Sequence, residues 1–204
     1  MLKVFLIRHG KTLGNTQGKY IGCKTDENLC SQGIEEIKKR QYPKAQFVYT
    51  SPMKRCLETA ALIYPNLSMD TNVLLRECDF GKFENKNYHE LSEVKEYQEW
   101  IDSNGTLPFP NGEGMEEFRK RCAKGFEECI LEAFSKGQKQ IAIVVHGGTI
   151  MSILERYGVP RKDFYQWYVK NGQGYELEVE DSLWIPFSGK IDQIKPLLYT
   201  VTAQ

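Results

Sequence analysis

The sequence predicts an α/β fold, a three-layer α/β/α sandwich with a mostly parallel central sheet. Three short apolar runs, at residues 4–7, 47–50 and 141–145, are typical of buried strands. Helical patterns separate these runs over the first 158 residues, which indicates crossover connections and therefore parallel neighbours. Ligands of such sheets bind outside the carboxyl ends of the strands, so functional residues are expected at that edge.

The N-terminal part of the chain is predicted to contain a strand, a loop and a helix. The strand at residues 4–7 is continuously apolar and is ended by Gly10. Residues 10–30 are rich in Gly, Asn and Thr, which favours a loop with several turns. Ser31 is a candidate cap for a helix that continues to about Gln41.

A second strand and its helix follow. The strand at residues 47–50 is broken by Ser51-Pro52, and Pro52 fits the first turn of a helix whose apolar residues run to Ile63. A third short strand is predicted near residues 73–75, where apolar side chains recur.

The remaining elements include the clearest helix of the chain. Residues 79–114 show no regular period apart from one amphipathic helix at about 88–100. Apolar residues recur every three or four positions over 115–134, which predicts a helix packed on a core. The strand at 141–145 leads into a helix to about Tyr157, and the tail alternates in a way that suggests edge strands (Tyr175, Leu177, Val179).

Composition limits the class of protein. The 204 residues are most simply one domain, 1–204. Lysine plus arginine (27) balances aspartate plus glutamate (27), which argues against a general nucleic-acid binder or a polybasic membrane-surface protein. No apolar run approaches the roughly 18 residues that a membrane span needs. The six cysteines include no Cys-x-x-Cys pair, so free thiols in a cytoplasmic protein are expected.

Charged and imidazole side chains follow the predicted strands. Arg8-His9-Gly10 comes after the first strand, and Ser51-Pro52 with Arg55 comes after the second. His146-Gly147-Gly148 comes after the strand at residues 141–145. Because parallel strands end at one edge of the sheet, these segments are expected to converge there. Glu77 lies just past the predicted third strand and is expected at the same edge.

Two imidazoles, two guanidiniums and one carboxylate form a consistent set for phosphoryl transfer. That reaction needs an in-line nucleophile, neutralised phosphate oxygens and a proton for the leaving group. We interpret His9 as the nucleophile, Arg8 and Arg55 as phosphate ligands, Glu77 as the proton donor and Asn15 as a neutral donor. Each residue alone has an ordinary structural interpretation, but only the chemical one explains why all share an edge.

The same residues belong to motifs that follow one another in a recognisable order: Arg8-His9-Gly10-Lys11-Thr12 with Asn15, residues 29–33, Ser51-Pro52-x-x-Arg55-x-x-x-Thr59-Ala60, Leu75-x-Glu77-x-x-x-Gly81-x-Phe83-Glu84 and Val145-His146-Gly147-Gly148. Together they resemble the histidine phosphatase superfamily, also called the phosphoglycerate mutase-like family, over residues 3 to about 158.

The resemblance implies an enzyme with a phosphohistidine intermediate on His9. It implies the catalytic residues His9, Glu77, Arg8, Arg55 and His146. It also implies phosphate or substrate contacts from Arg8, Asn15, Gly22, Arg55, His146 and Gly147. No metal and no other cofactor is implied.

Within the superfamily, two features resemble the α-ribazole-5'-phosphate phosphatases of cobalamin biosynthesis. These are the short span between Glu77 and the helix at 115, and the pattern Gly81-x-Phe83-Glu84 followed by residues 111–121. A cofactor-dependent phosphoglycerate mutase is the main alternative, although such mutases usually carry a longer insertion with extra basic residues. A non-catalytic regulator that binds phosphorylated ligands is a second alternative, and the full catalytic set argues against it.

The segment 79–114 is expected to cover the active site and to select the leaving group. Its aromatic residues either stack on a flat heterocycle or pack the segment onto the core (Phe80, Phe83, Tyr88, Tyr97, Trp100, Phe109). Residues 161–170 have three interpretations, namely core, dimer contact or substrate wall, and His89 is expected on an exposed helix face. The expected partner is a small-molecule phosphate ester, without nucleic acid or membrane, and a homodimer is left open.

Overall fold

The computed structural model describes residues 1–180, 191 and 193–197. Within this part of the chain the strands are β1 (Leu2–Arg8), β2 (Phe47–Thr50), β3 (Met69–Thr71), β4 (Gln140–Val145), β5 (Gly174–Val179) and β6 (Gln193–Pro196). The α-helices are α1 (Leu13–Thr16), α2 (Ser31–Lys38), α3 (Lys54–Ile63), α4 (Tyr88–Leu91), α5 (Lys95–Asp102), α6 (Met115–Ser135) and α7 (Gly147–Tyr157). Short 3₁₀ turns occupy Val73–Leu75, Gly81–Phe83 and Phe164–Trp167.

The strands form one mixed sheet in the order β3-β2-β4-β1-β5-β6. The pairs β3/β2, β2/β4 and β4/β1 are parallel, whereas β5 is antiparallel to both β1 and β6. The predicted α/β class with a mostly parallel sheet is confirmed. The alternating tail forms β5, which is flanked on both sides, so the edge strand there is β6.

Helices cover both faces of the sheet, which gives the predicted three layers. On one face Val4 and Leu6 of β1 pack with the apolar sides of α6 and α7. On the other face Phe5 and Ile7 pack with Cys56 of α3 and its neighbours. Successive residues of β1 therefore face opposite layers, and both layers are apolar. This is why the strand is a continuous apolar run instead of an alternating one.

The segment 79–114 packs onto α6 through an apolar cluster of its own. Its buried members are mostly aromatic and come from both sides of this contact: Cys78, Phe83, Leu91, Tyr97, Trp100, Phe109, Phe118 and Cys122. The prediction of one helix at about 88–100 is wrong in one respect, because two separate helices, α4 and α5, occupy this range. In one continuous helix Leu91 and Tyr97 would point about 120° apart, and the break lets both enter this cluster. No helix in the described residues has the length and apolar character needed to cross a membrane.

Two further predictions differ from the structure. The third strand lies at β3, four residues before the predicted position, and residues 73–75 form a 3₁₀ turn. The Asn72 side chain accepts a hydrogen bond from Leu74 N–H, which favours that turn, and Asp70 and Thr71 of β3 are exposed, so no apolar run marks it. The predicted loop at 10–30 also contains the short helix α1, capped by Thr12.

Replacing Ile143, a fully buried residue of β4, by Ala should destabilise the protein by about 2–5 kcal/mol, because the cavity left in the central strand cannot collapse. Urea unfolding measures the change. Leu131→Ala is the matched control, since Leu131 lies on α6 with 41% of its surface exposed. It should change stability by no more than about 0.5 kcal/mol. Equal effects of the two substitutions would contradict the described core.

Candidate active site

The hydrogen bonds of the sheet bring the three predicted segments to one edge. His9 N–H donates to Val145 O, and Ser51 N–H donates to Val144 O, so β1, β2 and β4 end side by side. His146 follows β4 directly as the N-cap of α7. The rings of His9 and His146 meet edge to face, with centroids 5.2 Å apart. The segments therefore converge as the topology predicts.

The hydrogen bonds of His9 define which of its ring nitrogens is free. The side chain is buried, and Nδ1 lies 2.6 Å from the carbonyl oxygen of Gly10. A carbonyl oxygen only accepts, so this contact assigns the proton to Nδ1 and a lone pair to Nε2. Gly10 is held in turn, because its N–H donates to the Thr59 hydroxyl at 2.9 Å. The ring is thereby oriented with a nucleophilic nitrogen opposite the hydrogen bond.

The surroundings of His9 keep its imidazole uncharged. Burial lowers the pKa of His9 well below its ordinary value, and the nearby charges of Arg55 and Arg8 lower it further. The Gly10 carbonyl acts in the opposite direction and is the weaker influence. The neutral imidazole is the form that can attack phosphorus, so this residue is ready to react at neutral pH.

His146 is fixed between two polar neighbours. Arg55 Nε donates to its Nδ1 at 3.3 Å, which leaves the proton on Nε2, 2.8 Å from the Ser51 hydroxyl oxygen. Burial lowers the pKa of His146 well below its usual value, with Arg55 and His9 adding to the effect. This imidazole is neutral too, so the positive charge of the site comes from the arginines.

Arg55 is fully buried and is held by backbone carbonyl oxygens. Its Nη1 donates to Thr25 O at 2.9 Å and its Nη2 to Gly22 O at 3.0 Å. Arg8 Nη1 donates to Val169 O at 2.7 Å, and Arg8 Nε is buried without a hydrogen-bond partner in the described residues. Neither guanidinium forms an ion pair with a described carboxylate. Two uncompensated charges at one edge are an anion site.

Glu77 is the buried acid of this edge. Its Oε1 accepts from Cys78 N–H at 3.0 Å, and its Oε2 accepts from Gly148 N–H at 3.3 Å. Burial raises the pKa of the Glu77 carboxyl despite these hydrogen bonds and the nearby arginines. A carboxyl group that retains its proton more readily is suited to protonate a leaving oxygen.

Arg121 positions the backbone around Glu77. Its Nη1 donates to the carbonyl oxygens of Leu74 and Arg76, at 2.7 and 2.9 Å, and its Nη2 lies 3.4 Å from the carbonyl oxygen of Glu77. Glu113 accepts two further hydrogen bonds from this guanidinium, at 2.8 and 2.7 Å. The sequence motif contains both residues but gives them no role. The signal in the sequence is an arginine on a helix that packs against the core, because a guanidinium there needs several hydrogen-bond acceptors at once.

The other predicted phosphate ligands, Asn15, Gly147 and Gly22, differ in the contacts that they make. Asn15 caps α1, where its Oδ1 accepts from Thr12 N–H, and its NH₂ group is left to donate. Gly147 opens α7 against Arg8, and a Cβ there would lie 3.2 Å from Arg8 Cζ. Gly22 N–H donates to Glu84 and its carbonyl accepts from Arg55. Gly22 therefore supports Arg55, and its contact with phosphate stays a prediction.

Sequence reasoning missed the contribution of residues 169–172. Besides the Val169 carbonyl on Arg8, the Asn171 side-chain NH₂ donates to His9 O and to Asn15 Oδ1, both at 3.1 Å. Gly172 N–H donates to the carbonyl oxygens of Arg8 and His9, at 3.0 and 3.1 Å. These contacts fix the turn that follows β1. No periodicity marks the segment, so only its place beside β5 reveals it.

A cavity of ≈ 230 Å³ adjoins the phosphate side of the site at Arg8, Glu77, Gly147 and Gly148. Its walls come from the loop after α1, from residues 78–114, from α6 and α7, and from the turn Phe164–Trp167 with the residue after it: Tyr20, Cys78, Phe80, Trp100, Phe109, Met115, Phe118, Met151, Phe164, Tyr165 and Tyr168. Of the aromatic residues predicted to stack or pack, Phe83 and Tyr97 are buried in the apolar cluster, and Tyr88 is exposed. His89 is exposed, as predicted.

One group of potential metal ligands lies near this edge. Cys23, Asp79 and Glu84 place ligand atoms within 4.8 Å of one another. The Glu84 carboxylate already accepts from Gly22 N–H and the Thr25 hydroxyl, and Asp79 pairs with Lys24 at 2.8 Å. These oxygen atoms tie the loop that carries the Arg55 acceptors to the segment 79–114.

Comparisons with known proteins give a family match over most of the chain. Residues 4–186 match the family model described as the histidine phosphatase superfamily (branch 1). The broad-specificity phosphatase of Saccharomyces cerevisiae is 31% identical over 76% of this chain and 70% of its own length. A Yersinia pestis protein named "Probable phosphoglycerate mutase GpmB" is 28% identical over 91% of this chain and 88% of its own. The crystal structure of the α-ribazole phosphatase from Shigella flexneri superposes with a TM-score of 0.72 at 25% identity, covering 88% of this chain and 92% of that one.

Fold and site define a phosphoryl-transfer protein built on an α/β sheet. The family match covers most of the chain, and the chain therefore belongs to the histidine phosphatase superfamily.

The pH dependence of kcat/KM for an alkyl phosphate should be bell-shaped. Attack by His9 and proton donation by Glu77 would require the neutral imidazole and the protonated carboxyl, so the acid limb should have its midpoint below 6.5 and the basic limb its midpoint above 4.5, the ordinary pKa values of the two groups. Initial rates across the pH range test this. In Glu77→Gln the rate should fall about 10²–10⁴-fold, and the limb that belongs to Glu77 should vanish. A basic limb that survives in this variant would exclude Glu77 as its source.

Proposed function

We propose that this protein is a metal-independent phosphomonoesterase that hydrolyses a small phosphorylated metabolite through a phosphohistidine on His9. One observation carries the proposal. Two guanidiniums without a carboxylate partner among the described residues flank an imidazole whose only free lone pair is on Nε2. A phosphate monoester brings the two negative charges that this arrangement lacks, and it brings phosphorus within reach of the free nitrogen.

In the first step His9 Nε2 attacks phosphorus and the bond from phosphorus to the ester oxygen breaks. Glu77 gives its proton to that oxygen, and the neutral alcohol leaves. The phosphorylated ring keeps its Nδ1 proton, which donates a hydrogen bond to the Gly10 carbonyl oxygen. This hydrogen bond stabilises the positive charge that develops on the imidazole. Arg8 and Arg55 neutralise the transferring oxygens, and Asn15 NH₂ adds a neutral donor.

In the second step a water molecule occupies the place of the alcohol. The Glu77 carboxylate takes a proton from the water as its oxygen attacks phosphorus, and the bond from phosphorus to His9 Nε2 breaks. Inorganic phosphate leaves, the imidazole is again neutral, and Glu77 is again protonated. The same residue serves as acid and then base because it lies on the leaving-group side in both steps.

α-Ribazole 5'-phosphate is the metabolite that we propose first. The support is the likeness to a solved α-ribazole phosphatase and the aromatic walls beside Glu77, which suit a flat heterocycle. The free state of all six cysteines is consistent with a cytoplasmic enzyme. Transfer of the phosphoryl group back to a substrate would use the same residues, and a regulator would not require the catalytic set to be complete.

His9→Ala should abolish turnover, because the other imidazole described at this edge, that of His146, has its Nδ1 lone pair engaged by Arg55. Wild-type enzyme that is quenched in alkali during turnover should carry covalent phosphate that acid releases, as expected for phosphohistidine. This variant should carry none. His89→Ala is the matched control, since His89 is exposed and does not line the cavity. It should retain both activity and labelling. Turnover by His9→Ala at the wild-type rate would end the proposal.

Chelation and vanadate test the metal-independent mechanism together. Dialysis against EDTA should leave the rate unchanged within about twofold, since arginines supply the positive charge that a metal ion supplies in other phosphatases. Vanadate should inhibit the wild-type enzyme, because its five-coordinate form on His9 imitates the transferring phosphoryl group. Loss of activity with EDTA that added metal restores would contradict the mechanism.

A further inference from the structure

We infer that the leaving-group cavity selects phosphate esters of uncharged, ring-containing alcohols and rejects esters whose alcohol carries a second anionic group. This inference rests on the proposed phosphatase activity and specifies the substrate class of the same site. It separates the chain from enzymes that act on phosphorylated acids.

The charges of the cavity provide the first argument. Among its lining residues Arg8 is the one cation and Glu77 the one acid, and both lie at the phosphate end. The hydroxyl of Tyr20 is engaged with that of Tyr97 at 3.0 Å. A carboxylate in the leaving group would therefore lose its hydration without gaining a cation, which is unfavourable.

Cations near the cavity are committed to other partners. Arg121 binds Glu113 and three backbone carbonyl oxygens. Arg119 pairs with Glu155 at 3.2 Å, and its Cζ lies 4.5 Å from the centroid of the Phe164 ring. Recruiting either group would break existing contacts before a new one forms. Neither arginine is therefore a ready ligand for a second anion.

The walls of the cavity provide the second argument. Trp100 and Phe109 are buried, and their rings stack with centroids 5.1 Å apart, so this wall is rigid. Tyr165 and Tyr168, which come from a separate part of the chain, also line the cavity, yet they are 63% and 59% exposed. A ring bound in the cavity would cover apolar surface of these side chains and gain aromatic contacts.

The test compares benzyl phosphate with 4-carboxybenzyl phosphate. The two alcohols have similar reactivity and differ by one carboxylate. Wild-type kcat/KM should be at least about tenfold higher for benzyl phosphate, because the cavity cannot pair the second charge. Tyr165→Arg, a change at an exposed rim position, should reduce this ratio by about threefold or more. Tyr88→Arg is the control, since Tyr88 is similarly exposed at 61% but does not line the cavity.

The outcomes separate this inference from the proposed function. If 4-nitrophenyl phosphate is hydrolysed and the ratio is one or lower, or if Tyr165→Arg leaves it unchanged, the selectivity is wrong and the phosphatase activity stands. If no ester is hydrolysed, the proposed function fails. The selectivity is then judged by calorimetry with 2-phenylethylphosphonate and its 4-carboxy derivative, where weaker binding of the carboxylate supports it and equal or tighter binding overturns it.

Discussion

Two guanidinium charges without carboxylate partners, with Arg55 buried and Arg8 half-buried, are the constraint on which the rest of the described structure depends. A charge removed from water is costly unless other groups replace its hydration. Here Arg55 donates hydrogen bonds to the carbonyl oxygens of Thr25 and Gly22, and Arg8 donates one to that of Val169, which replaces part of their hydration. Carbonyl dipoles stabilise the cations without cancelling their charge. The protein thus keeps an anion site that an acidic partner would have filled.

The same constraint explains the state of the neighbouring acids and bases. Positive charge and burial both favour neutral imidazoles, so His9 and His146 remain uncharged. Burial acts on Glu77 in the opposite sense to the arginines and prevails, so its proton is retained more readily. Binding of a phosphate would reduce the positive potential and change all three equilibria together. The site is therefore a coupled electrostatic unit, and substitution of one arginine would be felt at both histidines.

The sequence predicted correctly those elements whose residue pattern has a single physical explanation. Continuous apolar runs predicted β1, β2 and β4, because strands buried on both faces leave no polar position. Their polar ends then predicted the edge that holds His9, Arg55 and His146. β3 was misplaced because an exposed edge strand of three residues carries no apolar signal. Asn171 and the breadth of the Arg121 contacts were missed for a different reason. They depend on backbone carbonyl oxygens of distant segments, whose direction only the folded chain defines.

The contacts of residues 171 and 172 with the end of β1 have a consequence for vectorial synthesis. β1 is made well before both of its partners, since it pairs with β4 at Gln140–Val145 and with β5 at Gly174–Val179. Contacts of such large sequence separation form late, since a long loop must close before they are made. The nascent chain consequently carries His9 long before it can hold the residue in place, because the contacts of residues 171 and 172 and the pairing with β5 require segments that are made later. Assembly of the phosphate site thus coincides with completion of the sheet.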